Sequence, residues 1–170
     1  MATQNNNLSD YNKDSLPNVS NLRIGIVVSQ WNYDITDGLF KGAYETLLDC
    51  GVSSDNILKL EVPGSFELIY GSKILYKKNC DAIICLGSVI QGETKHFDYV
   101  CQGVTNGIKD LNIALDIPVI FGVLTDNTKE QAIHRSGGKH GNKGIECAVS
   151  CLKMIELKKE ITAPDQKIGF

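Results

Sequence analysis

Residues 81–88 read DAIICLGS, and the next eight, VIQGETKH, carry the chain to residue 96. From Ala82 to Leu86 every side chain is apolar, with no polar residue alternating between them. A strand with one wet face alternates, whereas one covered on both faces does not. This stretch therefore reads as a central strand of a parallel sheet. The glycines and polar residues that follow mark the loop where it ends.

Working outward, residues 23–29 (RIGIVVS) and 117–124 (IPVIFGVL) read the same way, with Pro118 near a strand start where a missing N–H does least harm. Residues 56–62 alternate through Leu58, Leu60 and Val62 and stop at Pro63-Gly64. Helical spacing fills the gaps. Ile35, Leu39, Ala43 and Leu47 recur every four residues up to Gly51. A second helix is expected through Phe66, Ile69, Tyr70 and Ile74, and a third over 96–115. Two more are expected near 128–136 and 142–159, split by the glycine-rich 136–141. Strand and helix alternate throughout, which predicts an α/β domain with helices on both faces of a parallel sheet. The expected organisation is a polar arm over 1–22, one domain over 23–160 and a frayed tail over 161–170.

The chain has 170 residues, enough for one core without staples. A net charge of −3 gives no basic face for nucleic acid. No apolar run is long enough for a membrane span. Residues 1–22 lack the apolar core of a secretory leader, so a cytoplasmic protein is expected. Six cysteines occur without a C-x-x-C pair, and no metal site is expected. Cys147 and Cys151 share one helix face, which suits buried packing better than a metal.

Ligands of open parallel sheets bind beyond the carboxyl ends of the strands. Those ends hold the single tryptophan, Trp31, one of three histidines, His96, and several glycines. Residues 87–94 nearly match the phosphate loop G-x-x-x-x-G-K-[ST], but Glu93 stands where the lysine belongs. A carboxylate there repels a triphosphate. The Gly92-Glu93-Thr94 turn still opens a helix, and a helix N-terminus attracts a single phosphate group. No G-x-G-x-x-G follows the first strand, which argues against a dinucleotide.

Trp31-Asn32, Val62-Pro63-Gly64-Ser65-Phe66-Glu67, residues 87–96, residues 118–122, and Arg135 followed by Gly141-Asn142-Lys143-Gly144 together resemble the lumazine synthase family. The resemblance spans about residues 22 to 158 and keeps the order of the motifs. It implies a flavodoxin-like three-layer α/β/α sandwich with a four-stranded parallel sheet. It also implies an enzyme of riboflavin biosynthesis, a transferase that needs no cofactor. That family condenses 5-amino-6-(D-ribitylamino)uracil with 3,4-dihydroxy-2-butanone 4-phosphate, giving 6,7-dimethyl-8-ribityllumazine, phosphate and water.

The resemblance assigns roles that the residue chemistry allows. His96 becomes the proton carrier, since imidazole titrates near neutral pH. Trp31 offers a flat face to a pyrimidine, where the family usually has phenylalanine. Asn32, Ser65, Phe66, Glu67, Ser88, Val89 and Ile90 complete the pyrimidine and ribityl pocket, with Phe121 and Lys143. Glu67 alone would pass for a dipole partner in a first helical turn, and Lys143 equally for a helix-end charge. Gly92, Glu93, Thr94 and Arg135 would take the phosphate, Arg135 as a bidentate fork. Gln91 stands where the family is commonly basic, and Ile69 where a proline is common. The family's Phe121 position lines a neighbouring subunit's pocket, so sites between subunits of a homopentamer are implied. An icosahedral shell of sixty copies and riboflavin synthase as a partner are further expectations.

Overall fold

β1 (Ile24–Ser29) and β3 (Ala82–Ile90) pair in parallel at the centre of a sheet of order β2-β1-β3-β4. β2 (Ile57–Val62) and β4 (Val119–Asp126) form its edges, also parallel. The computed structural model describes residues 7, 9–13, 16, 19 and 21–163. Every residue of β1 and the first seven of β3 are buried, as strands covered on both faces must be.

Successive side chains of these strands point to opposite faces and so build two cores. Ile24, Ile26, Val28, Ile84 and Leu86 pack with α1 (Tyr33–Asp49) and α5 (Lys143–Thr162). Val27, Ile83 and Cys85 pack with α2 (Leu68–Tyr76) and α3 (His96–Ala114). The result is the flavodoxin-like three-layer sandwich, four parallel strands between helical layers. No described helix is long and apolar enough to cross a membrane.

The α1–α5 seam is very close. A Cβ on Gly144 would lie 1.9 Å from the Leu39 carbonyl oxygen, so only glycine fits there. Asn142 fastens the seam. Its Nδ2 donates to the Gly38 carbonyl at 2.8 Å, and its Oδ1 caps α5 by accepting from the Gly144 N–H at 2.8 Å. Cys147 and Cys151 face the core of this layer as free thiols, and burial pushes the Cys147 thiol up to about 12.

Three details differ from the sequence reading. α2 does not bury the Tyr70 and Ile74 stripe, which is 68% and 43% exposed; it buries Leu68, Gly71, Ser72 and Leu75. Gly71 lies so close to Val27 and Val62 that a Cβ would meet both below 3 Å. Small residues bring this helix onto the sheet, and a hydrophobic pattern cannot register them. β3 and β4 each run two residues further than read, because they pair up to Ile90 and Asp126. The glycine-rich 136–141 segment forms a small antiparallel hairpin, β5 (Ser136–Gly138) and β6 (Gly141–Asn142), after the short α4 (Lys129–Arg135).

The described residues of the arm rest on their own subunit. Tyr11 donates its hydroxyl to Asp49 at 2.8 Å, Asn142 donates its N–H to Ser9 Oγ at 3.1 Å, and Val19 is buried in the α1–α5 core. Helix α5 continues to Thr162; the tail over 164–170 lies outside the described residues.

Candidate active site

The strand order places a topological switch point between β1 and β3, where the connections leave to opposite faces. A cleft of about 780 Å³ opens beyond their carboxyl ends. Its walls come from three loops and the first turn of α3.

The first loop is tied to the second through the backbone, Gln30 N–H donating to the Val62 carbonyl at 2.8 Å and Trp31 N–H to the Pro63 carbonyl at 3.1 Å. This leaves the Trp31 ring on the rim, 72% exposed and lining the cleft, rather than in the core. Asn32 adopts a left-handed backbone (φ 58°) and donates from Nδ2 to the Ser88 carbonyl at 3.1 Å. That bond spans the switch point from the first loop to the third.

The second loop supplies Pro63, Gly64, Ser65, Phe66 and Glu67 to the lining. Ser65 Oγ is buried without a partner, as is Ser88 Oγ at the end of β3. Two hydroxyls in one wall with unused donors and acceptors suit a polyhydroxylated or heterocyclic ligand. Glu67 folds back over the turn, its Oε2 2.9 Å from where a Gly64 Cβ would stand. Phe66 is 54% exposed and leans on Gly103 of α3.

The third loop leaves β3 through Val89 and Ile90 and exposes residues 91–96. Gly92 and Thr94 line the cleft, while Glu93 lies outside the lining. The His96 N–H reaches Thr94 Oγ1 at 3.4 Å where α3 begins, and the His96 side chain lines the cleft. The first N–H groups of α3 have no intrahelical acceptor, which makes this end a seat for an anion.

The chain has close relatives. Residues 21–159 match the family model described as 6,7-dimethyl-8-ribityllumazine synthase. The chain belongs to the 6,7-dimethyl-8-ribityllumazine synthase family. Proteins of that name from Flavobacterium johnsoniae and Christiangramia forsetii are each 59% identical to it, over 94% of this chain and 85% and 96% of their own lengths. The one from Porphyromonas gingivalis is 56% identical over 94% of this chain and 99% of its own length.

Against the lumazine synthase motifs, the residues expected from the sequence fall into two groups. Trp31, Asn32, Ser65, Phe66, Glu67, Ser88, Val89, Ile90, Gly92, Thr94 and His96 meet in one cleft of one subunit. Glu93, Phe121, Arg135 and Lys143 do not line it. Phe121, 37% exposed, lies on β4. Lys143 pairs with Glu146 in the first turn of α5. Arg135 ends α4, with its Nε 3.6 Å from Asp126 Oδ1.

Phe97, Tyr99 and Val100 also line the cleft and were not singled out from the sequence. Their signal was available, since a helix that starts at a binding loop presents its first turn to the ligand. Asp126, which pairs with Arg135, was not singled out either, and nothing in the local pattern marks it.

Proposed function

We propose that this chain is a 6,7-dimethyl-8-ribityllumazine synthase. It condenses 5-amino-6-(D-ribitylamino)uracil with 3,4-dihydroxy-2-butanone 4-phosphate, releasing phosphate and water. The observation that carries the reading is one cleft at the β1–β3 switch point. It joins a flat exposed ring, Trp31, two unpartnered hydroxyls, Ser65 and Ser88, and His96 beside a helix N-terminus. The ring stacks on the pyrimidine, and the hydroxyls with Glu67 take the ribityl chain and ring edges. Gly92 and Thr94 hold the phosphate at the start of α3.

The substrate's own amine is the nucleophile and forms an imine with the ketone. His96 moves protons during imine formation, phosphate elimination and ring closure. Most of the rate comes from holding two reactive molecules together, a contribution of about 7–11 kcal/mol when orientation is good.

Phe121, Arg135 and Lys143 serve a cleft formed with a neighbouring subunit, which accounts for their distance from the cleft of their own chain. The enzyme is cytoplasmic and a homopentamer. The apolar, exposed Phe66, Tyr70, Ile74 and Tyr99 support burial against other copies. Twelve pentamers assemble into a shell, with riboflavin synthase as a candidate partner.

The test mixes purified protein with both substrates and follows lumazine absorbance and fluorescence. Product forming faster than the uncatalysed background supports the reading. Background rate alone from a folded protein removes it.

A further inference from the structure

Asp126 ends β4, where its carbonyl accepts the Gln91 N–H at 2.9 Å. The backbone at this residue therefore holds the start of the glycine loop to the sheet. Its side chain is 9% exposed. One carboxylate oxygen, Oδ1, lies 3.6 Å from Arg135 Nε; the other, Oδ2, is buried without a partner.

A buried carboxylate with an empty oxygen is poor value for stability, since desolvation exceeds what one long ion pair returns. Burial raises this carboxyl above its ordinary value, and the Arg135 guanidinium pulls it back only in part. The surrounding helix is built to bring the two groups together. Thr128 caps α4 by accepting from Gln131 N–H at 3.3 Å, and Gln131 Oε1 accepts from Asn127 N–H at 3.0 Å. The helix is thus anchored directly after Asp126 and returns its last residue, Arg135, to the same carboxylate.

We propose that Asp126 is a positioning residue for Arg135. It engages the guanidinium at Nε and leaves the two terminal nitrogens to grip the phosphate of the four-carbon substrate. Among the described residues, no other carboxylate pairs with the Arg135 guanidinium. A fork held at its inner edge keeps its outer edge in one orientation, which is what bidentate recognition of a phosphate needs. The inference rests on the phosphate role of Arg135 in the proposed reaction. It holds whether the phosphate lies in the cleft of the same subunit or of a neighbour.

The test is a double-mutant cycle on the intact protein, reading KM for each substrate, kcat, and inhibition by inorganic phosphate. Asp126→Ala should raise KM for the butanone phosphate about tenfold, weaken phosphate inhibition in parallel, and leave KM for the pyrimidine unchanged. In an Arg135→Ala background the same change should do nothing further, because its effect passes through the arginine. An equal penalty in both backgrounds overturns the proposal. So does an unchanged KM in Asp126→Ala when Arg135→Ala alone raises it. If Arg135→Ala itself leaves that KM unchanged, both this inference and the anion role of Arg135 fall. Should Asp126→Ala not fold, Asp126→Asn carries the same cycle.

Discussion

Asn32 reaches across the β1–β3 switch point and donates its side-chain N–H to the carbonyl of Ser88, 3.1 Å away. The same residue holds a left-handed backbone at φ 58°. One residue thus joins the turn that presents Trp31 to the opposite strand end of the cleft.

Two substitutions separate those roles. Asn32→Ala should lose the bond and add left-handed strain, about 2 kcal/mol together. Asn32→Gly should recover the strain alone. Thermal unfolding should rank wild type, Gly, then Ala, while KM for the pyrimidine stays raised in both variants. A normal KM in Asn32→Gly would show that the bond does not shape the cleft.

His96→Ala should lower kcat by about a hundredfold and leave measurable turnover, since proton transfer is one contribution beside positioning. Steady-state kinetics on a variant with an unchanged circular dichroism spectrum would check this. Complete loss would mean that the imidazole does more than carry protons.

Asn142→Ala removes the α5 cap and the bond to Gly38 in one step. A loss of about 2–3 kcal/mol is expected in urea unfolding. A loss below about 0.5 kcal/mol would mean that the close approach of Gly144 to Leu39 holds the seam without it.

Asp126 gives a pH signature. Its folded carboxyl is raised by burial, so it binds its proton more tightly folded than unfolded. That contribution is fully present below the ordinary carboxylate value of about 4 and is lost as pH rises through the folded value. Asp126→Asn has no proton to lose. Its melting temperature should exceed wild type at pH 7, and the gap should close toward pH 4 and below. A less stable Asp126→Asn at pH 7 would show that the ion pair outweighs burial.

Sedimentation should find no monomer at micromolar concentration and a particle of about sixty copies, the closed assembly proposed above. A species of about five copies would keep the pentamer and remove the shell. A stable monomer would remove both.

Much of this molecule was legible in its sequence. Residues 23–29 and 81–88 have no polar alternation, so they had to be covered on both faces, and the three layers follow from that. The carboxyl ends of the predicted strands then located Trp31, the Pro63-Gly64 turn and His96. Burial and chain order are local properties, and sequence carries them directly. The tertiary structure decided what depends on closeness between distant residues. Gly71 and Ser72, not Tyr70 and Ile74, face the sheet because small side chains let the backbones approach. Asn32 meets Ser88 at a distance of fifty-six residues, and Asp126 meets Arg135 only because α4 turns back on its own strand. Hydrophobic pattern records which residues avoid water; it does not record which polar groups meet once the water is gone.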